Sequence, residues 1–484
     1  MKYNFVKDSS IYFVLNILIV VLTMILMPFY AMHLSFEDWG VISIFLFFGP
    51  MLVGIISMGI PKASYYYYFK KKSESEYKKL QSTNYFSLIM LMLIFGLLVN
   101  KYSLSISTFF FKSTISRNVL LLSYVSGCFQ ALSIYVEDLL TGQGKPKAYS
   151  IIVLSRFLIG ALISIWLILN TSMTFLARVN GILISNIISF IISIYLLKDF
   201  FVFKYSFMSL KKSLKFSYPE IPLSLVGLVI GSLDKILLTN LKGLDALGVF
   251  SFGSKFIDLT RQILIAIRKS WNLYFFESIN ENTLKSKNLI YSNFEKISFF
   301  ASIPCFIVVL FSEEIILTFG NSTYLPSAYI IPIYAFTYFI SLLDFLSSNQ
   351  ITASEKLMKQ MPSTLIGGLL IIVLNLVLIP RYGAQGAAFA ASIHFLISHI
   401  INFYFGQKAT PLPIKIGRML GFFMILVLIS SISYLFINLD IAPHIKILFK
   451  LLTIATFLAL IIKLSNIRLI SIKYLISNFK KTSF

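Results

Sequence analysis

Apolar segments of about twenty residues recur along the whole of this chain, and they restrict its fold more than any other feature. A helix of that length crosses a hydrocarbon core of roughly 30 Å. Of the 484 residues, 57% are hydrophobic and only 13% are charged, whereas roughly a quarter of a soluble domain is charged. The sequence therefore predicts a polytopic membrane protein.

The segments are too long and too continuously apolar for barrel strands, so we predict an all-α fold with about 14 transmembrane helices. The first apolar run, Ile11 to Phe29, is too long for a signal-peptide core, and we expect it to remain as a membrane anchor. The predicted spans are 9–33, 41–61, 83–100, 119–140, 148–169, 175–197, 216–240, 248–276, 294–319, 328–350, 362–379, 384–406, 417–438 and 444–464.

The formal net charge of +22 could indicate a nucleic-acid partner, so the positions of the 42 Lys and Arg residues matter. With the N-terminus in the cytoplasm, most of these cations fall on inward-facing segments. The outward-facing loops carry only Lys101, Lys112, Arg117, Lys242, Arg381 and Lys446. The positive-inside rule predicts this asymmetry. We therefore expect both termini in the cytoplasm and no nucleic-acid partner.

The sequence argues against an enzyme and against a metal site. No loop is long enough to hold a soluble catalytic domain, so we predict no catalytic residues. Cys128 and Cys305 fall inside predicted spans, where a thiol acts as a small apolar residue. His394 and His399 have no Cys or acidic partner at ligand spacing, so we expect them to pack. We predict no metal and no cofactor beyond a coupling ion.

Two short motifs of the first half return in the second half at nearly the same spacing. Glu37–Ser43 resembles Asp245–Ser251, and Leu140–Lys145 resembles Ile351–Lys356. Duplication of a six-span unit would produce both matches. Chance similarity between polar turns is the alternative.

We therefore predict two pseudo-symmetric six-helix lobes followed by two C-terminal helices. The N-lobe covers 1–197, a cytoplasmic linker covers 198–215, and the C-lobe covers 216–406. Residues 407–484 form the terminal helix pair and a basic tail. Paired bundles of this kind are common in transporters that work by alternating access.

Helix-breaking residues are concentrated in the second span. They are Gly49, Pro50, Gly54, Gly59 and Pro61. Such residues indicate either carbonyl groups freed along a wet cavity or close helix packing through small side chains. Both interpretations stay open at this point.

Charged residues inside the spans carry the functional argument, because a charge near the bilayer centre costs roughly 2.5–3.5 kcal/mol on insertion scales. In the eighth span Lys255, Asp258 and Arg261 are spaced three apart, so neighbours can meet on the helix surface. Arg268 follows two turns later on nearly the same face. We expect this row to line an aqueous groove that binds an anionic, phosphate-bearing cargo, since Arg presents a planar donor fork. Mutual neutralisation that fastens helices together is the alternative.

Other spans add charges to the predicted substrate-binding set. Lys62 ends the second span, Arg156 lies in the fifth, and Asp234 and Lys235 are adjacent in the seventh. Adjacent helical residues point about 100° apart, so only one of that pair can face a groove squarely. Asp344, in the tenth span, has no cation within a turn of its own helix. We expect Asp344 either to bind a coupling H⁺ or Na⁺ or to pair across helices.

Five short motifs, in their order and spacing, resemble those of a known family. They are Met27–Tyr30, Phe36–Gly40, Gly59–Pro61, Ser232–Lys235 and Leu247–Ser251. The chain resembles the polysaccharide-biosynthesis flippases of the multidrug, oligosaccharide-lipid and polysaccharide exporter superfamily, which include Wzx-type O-antigen flippases. The resemblance covers nearly the whole chain.

This resemblance implies translocation of undecaprenyl-pyrophosphate-linked oligosaccharide from the cytoplasmic to the outer leaflet of a bacterial inner membrane, for O-antigen, capsule or another surface glycan. It implies the lipid bilayer and other glycan-assembly proteins as partners. It also implies a central cavity in which cations on helices one, two, seven and eight meet the pyrophosphate. The residues of this chain on those helices are Lys62, Asp234, Lys235, Lys255, Arg261 and Arg268.

Three other functions are weighed against the flippase. A drug and cation antiporter of the same superfamily needs an embedded carboxylate, and the first span, Ser9 to His33, contains none. A membrane enzyme of glycan assembly would need a large outer loop with catalytic residues. A scaffold without transport would not need so many embedded charges.

Overall fold

The computed structural model describes residues 5–69, 73–112, 115–197, 202, 204–218, 221–354, 357–439 and 441–465. Throughout these ranges the chain forms helices joined by short turns, and they contain no strand. The predicted all-α fold is confirmed. The predicted basic tail falls on 466–484 and so lies outside the described residues.

Sixteen α-helices make up the described chain, with short 3₁₀ helices at Ser322–Tyr329 and Leu357–Gln360. The helices are α1 Phe5–His33, α2 Phe36–Ile56, α3 Ile60–Phe69, α4 Glu74–Lys101, α5 Ser103–Phe111, α6 Arg117–Gly142, α7 Pro146–Asn170, α8 Phe175–Leu197, α9 Phe207–Ser217, α10 Ile221–Asn280, α11 Leu284–Leu310, α12 Ser312–Phe319, α13 Ile330–Ala353, α14 Met361–Ala409, α15 Ile416–Asn438 and α16 Pro443–Ser465.

Two helices are too long for one membrane crossing, and each is divided at a glycine. Gly243 interrupts α10 with φ of 87°, and Gly383 interrupts α14 with φ of 55°. These are left-handed backbone angles that favour glycine. We name the parts α10a (221–242), α10b (244–280), α14a (361–382) and α14b (384–409).

The described residues then hold fourteen helical segments of more than twenty residues, in agreement with the predicted span count. By length and apolar composition, nine helices of the described chain qualify as membrane spans when α14 is counted once. The protein is therefore a multi-pass membrane protein.

The chain divides into two compact units, residues 1–248 and 249–484. We call them the N-terminal unit and the C-terminal unit. Their boundary follows Gly248, near the start of α10b. The predicted lobes and linker remain predictions.

In the N-terminal unit α2 and α6 pack so closely that a side chain of one enters the hydrogen-bond ladder of the other. Ser123 Oγ on α6 donates to the Phe45 carbonyl oxygen over 2.6 Å and accepts from the Gly49 amide over 2.8 Å. A Cβ at Gly49 would meet the Ser123 carbonyl oxygen. Gly49 therefore serves close packing, whereas Gly59, with φ of 69°, forms the turn after α2.

The duplicated motif forms a reciprocal contact inside the N-terminal unit. A Cβ added at Gly40 would meet the carbonyl oxygen of Leu244, and a Cβ added at Gly248 would meet that of Phe36. Phe36 and Leu244 stand at equivalent positions of the repeated motif, as do Gly40 and Gly248. Each glycine of the repeated motif therefore lies against the backbone of the other copy of the motif.

We predict that Gly248→Ala destabilises the protein, because the new methyl group would press on backbone that cannot rotate away. Overpacking of this kind costs about 1–3 kcal/mol. The thermal unfolding midpoint of the purified protein in detergent should fall by several degrees. Gly231→Ala is the matched control, since nothing lies within 4 Å of a Cβ there. Equal midpoints for the two variants would contradict the contact.

In the C-terminal unit two ion pairs fasten α16 to α12. Lys446 Nζ lies 3.1 Å from Glu313 Oε1, and Lys450 Nζ lies 2.7 Å from Glu314 Oε2. The Lys450 side chain is 1% exposed. Removing one partner of such a pair leaves an uncompensated buried charge.

We therefore predict that Lys450→Met lowers the thermal midpoint, by an amount corresponding to about 3–5 kcal/mol. Lys450→Met combined with Glu314→Gln should recover part of the loss, because no full charge is then left without its partner. A double variant less stable than Lys450→Met would show that the ion pair is not the cause.

Candidate functional site

Arg261 is the best connected of the cations predicted on α10b. Its Nη1 lies 3.0 Å from Asp258 Oδ1, one turn earlier, and its Nη2 donates to Thr337 Oγ1 on α13 over 2.7 Å. Its guanidinium also lies 5.6 Å from the centre of the Tyr334 ring. Asp258 therefore offsets part of the charge of Arg261. This contact agrees with the alternative interpretation of the row, in which its charges neutralise each other and fasten helices together.

Arg268 is held by neutral groups. Its Nη2 donates to Ser348 Oγ over 3.0 Å, and its guanidinium lies 5.0 Å from the centre of the Phe345 ring. Among the described residues Arg268 forms no ion pair, and its side chain is exposed. Asp344 on α13 interacts electrostatically with Arg268 without an ion-pair contact, so it offsets part of this positive charge and the rest is available to an anionic ligand. Lys255, one turn before Asp258, is half-buried.

Asp344 on α13 pairs across helices with α14b. Its Oδ1 lies 3.6 Å from His399 Nδ1 and accepts from Asn402 Nδ2 over 3.2 Å. Ser347 Oγ donates to the same oxygen over 3.2 Å. The cross-helix contact is thus observed, and a role in ion coupling stays a prediction. His399 and Asn402 lie more than fifty residues further along the chain. The spacing of residues within α13 therefore could not predict them as partners of Asp344.

Asp234 and Lys235 lie on α10a within the N-terminal unit. Lys235 Nζ lies 5.1 Å from the centre of the Phe47 ring on α2, a cation–π distance. Asp234 Oδ1 accepts from the Lys235 backbone amide over 2.9 Å. The two side chains therefore make separate contacts, as expected for neighbours on one helix.

Arg156 on α7 forms an ion pair that the sequence analysis missed. Its Nη2 lies 2.6 Å from Glu137 Oε1 on α6, and the side chains are 17% and 8% exposed. The signal was available, because an acidic residue in an apolar span is a functional-site candidate by default. What spacing could not show is that two antiparallel helices bring these residues together.

The predicted substrate-binding residues thus fall into separate groups. In the C-terminal unit the row on α10b brings Asp258 and Arg261 together, with Arg268 further along the helix. Lys62 lies on α3, and its side chain is outside the described residues. In the described ranges no cluster of His, Cys, Asp and Glu could hold a metal ion, and Cys128 and Cys305 are unpaired.

The long apolar helices with charges inside them define a polytopic membrane protein. The chain belongs to the polysaccharide biosynthesis protein family, which matches residues 5–271, more than half of its length. No curated protein matches the sequence significantly.

Solved structures of similar fold cover most of the chain. The lipid II flippase MurJ in an inward closed conformation is 17% identical, with a TM-score of 0.66 over 95% of this chain and 99% of its own. An inward-facing multidrug resistance MATE family transporter of the MOP superfamily is 13% identical, with a TM-score of 0.62 over 83% and 94%. A MOP superfamily transporter from Pyrococcus furiosus is 14% identical, with a TM-score of 0.56 over 83% and 94%.

Proposed function

We propose that this protein is a flippase that moves undecaprenyl-pyrophosphate-linked oligosaccharide repeat units from the cytoplasmic to the outer leaflet by alternating access. The membership of a polysaccharide biosynthesis family supports this proposal. So does the fold shared with MurJ, which is itself described as a lipid II flippase. The product would be a surface polysaccharide such as O-antigen or capsule.

The observation that carries the proposal is the charge on α10b. Lys255, Arg261 and Arg268 stand against one acidic residue of the same row, Asp258. The direct contacts of Arg268 are a hydroxyl and an aromatic ring, and Asp344 acts on it only through a longer-range electrostatic interaction. A guanidinium matches the geometry of phosphate oxygens and can bind them through two parallel hydrogen bonds. A pyrophosphate therefore suits this row better than a neutral or cationic cargo.

The proposed location is a bacterial cytoplasmic membrane, with both termini in the cytoplasm. The basic residues concentrated on one set of loops support this orientation. The partners are the lipid-linked oligosaccharide, the surrounding bilayer and other proteins of glycan assembly.

A multidrug or cation antiporter is the second candidate. The fold shared with MATE transporters favours it, as does an embedded carboxylate, Asp344, beside His399. The excess of cations on α10b opposes it, because a cationic drug would be repelled there.

Asp344 and His399 are the proposed site of ion coupling. A carboxylate and an imidazole within 3.6 Å can exchange or share a proton, and Asn402 and Ser347 supply further polar atoms. Either H⁺ or Na⁺ would suit this set of groups.

We predict that Arg268→Ala lowers surface glycan while lipid-linked precursor accumulates on the cytoplasmic side, and that Arg261→Ala does the same. Each change removes hydrogen bonds to a charged group, worth about 1.5–3 kcal/mol each. Translocation in proteoliposomes should therefore fall roughly tenfold to a hundredfold. The measurement is the outer-leaflet accessibility of a labelled undecaprenyl-pyrophosphate oligosaccharide.

Two further variants sharpen this experiment. Arg268→Lys keeps the charge and loses the planar fork, so its rate should lie between those of the native protein and Arg268→Ala. Arg381→Ala removes an exposed arginine near the end of α14a and should leave the rate unchanged. Normal export by both Arg261→Ala and Arg268→Ala would disprove the role of the row.

We predict that Asp344→Asn abolishes the dependence of translocation on an imposed ion gradient and spares binding of the lipid-linked cargo. The amide cannot take up a proton or balance a bound cation, yet it keeps the size of the carboxylate. Rates with and without pH or Na⁺ gradients identify the ion. Unchanged gradient dependence would remove Asp344 from the mechanism.

A further inference from the structure

A polar cavity lies within the helices of the N-terminal unit. Its volume is about 140 Å³, and α2, α6, α7 and α8 surround it. That volume accommodates several water molecules or one small oxyanion. We call it the Arg156–Arg178 cavity, after the two cations that line it.

One wall of the cavity is formed by α2, where the helix has an altered hydrogen-bond ladder. Ser123 occupies the ladder between Phe45 and Gly49, as described above. Pro50, the next residue, has no amide hydrogen to donate back to Leu46. Phe45, Leu46 and Pro50 all line the cavity. Of the helix-breaking residues of the second span, Pro50 therefore lies beside this space, whereas Gly49 serves close packing.

Of the two arginines of the cavity, Arg156 has a carboxylate partner among the described residues and Arg178 has neutral partners. Glu137 pairs with Nη2 of Arg156, while Nη1 of Arg156 is buried and has no hydrogen-bond partner among the described residues. Arg178 Nη1 donates to Tyr30 Oη over 3.1 Å and to Ser164 Oγ over 3.3 Å, both neutral groups. Its guanidinium lies 4.7 Å from the centre of the Tyr30 ring. One positive charge therefore remains uncompensated around this space.

The rest of the lining is neutral and rich in hydrogen-bonding groups. Ser126, Gln130 and Asn186 face the cavity, and Asn186 Nδ2 is fixed by Ser126 Oγ over 2.8 Å. Within the described residues the lining contains no Asp or Glu. A metal ion or a cationic drug would therefore meet two arginines and no carboxylate ligand.

We propose that the Arg156–Arg178 cavity binds one small oxyanion, a carboxylate or a phosphate group. The anion binds at the guanidinium groups that line the cavity and neutralises the charge of Arg178. This site is distinct from the row on α10b, which belongs to the C-terminal unit. Such a group is supplied either by a free inorganic anion or by an acidic sugar of a translocated glycan, and only the second source rests on the proposed function.

Binding of sodium phosphate and of sodium glucuronate to the purified full chain tests the proposal. Isothermal titration calorimetry in detergent, at constant ionic strength set with sodium chloride, should show one binding site for at least one of the two compounds. Tighter binding of phosphate identifies a free anion as the ligand, and tighter binding of glucuronate identifies an acidic sugar. No binding of either compound at tens of millimolar would overturn the proposal.

Arg178→Gln should weaken the binding roughly tenfold or more, because it removes the charge and keeps the neutral contacts of the site. The affinity of Arg178→Lys for the anion should lie between those of Arg178→Gln and the native protein. Arg117→Gln is the matched control and should bind as the native protein does, since Arg117 is exposed at the start of α6 and contacts Asn100. Equal affinities for Arg178→Gln and Arg117→Gln would show that the cavity holds water alone.

Arg156 needs a paired design, because Arg156→Gln alone would leave Glu137 buried without a cation. Arg156→Gln combined with Glu137→Gln keeps the cavity neutral at that wall and should also weaken anion binding. Failure of the site and failure of the flippase can be told apart. If Arg268→Ala loses translocation and the native protein binds no anion, the flippase proposal is supported and the proposal of an anion site in the cavity is contradicted.

Discussion

A charge placed among apolar helices has to be compensated inside the protein or by water, because lipid offers neither donors nor acceptors. This requirement accounts for the buried ion pairs in both units. Arg156 meets Glu137, Lys450 meets Glu314, and Arg261 meets Asp258. Once these pairs are set aside, the cations that keep unused donors or neutral partners stand out, and those cations point to anionic ligands.

Close helix packing depends on small residues and also creates the polar cavity. Gly49 lets α2 approach α6, and Gly160 on α7 lies against Ser185 on α8, whose Oγ is 2.9 Å from an added Cβ. In lipid such contacts replace the hydrophobic effect as the force between helices. Gly160 and Ser185 also line the cavity between the helices of the N-terminal unit. One set of residues therefore serves both structure and binding.

The two units surround their embedded cations in different ways. In the C-terminal unit Lys255, Arg261 and Arg268 lie on a single helix, α10b, and the two arginines contact hydroxyl and aromatic groups of α13. In the N-terminal unit four helices surround Arg156 and Arg178. A cation held by a hydroxyl and a ring keeps most of its attraction for an anion. Arg268 and Arg178 share this property, and each is assigned to a separate anionic group.

Much of the fold could be predicted from the sequence, and much less of the site. The span 384–406 agrees closely with α14b, 384–409, because hydrophobic length and the glycine before it mark a helix without reference to neighbours. The i, i+3 contact between Asp258 and Arg261 also follows from helix geometry alone. Partners from other helices, such as Glu137 for Arg156, have no fixed sequence spacing.

The sequence by itself determined the solvent, the all-helical class, the number of spans and the positions of the embedded charges, since each depends on the local run of residues. Only the tertiary structure decided which charges are neutralised. It paired Asp344 with His399, bonded Arg268 to the neutral Ser348 hydroxyl, and placed Arg156 and Arg178 on the lining of one cavity. The reason is physical: compensation of a charge is set by distances of a few ångströms between helices, and those distances arise from packing.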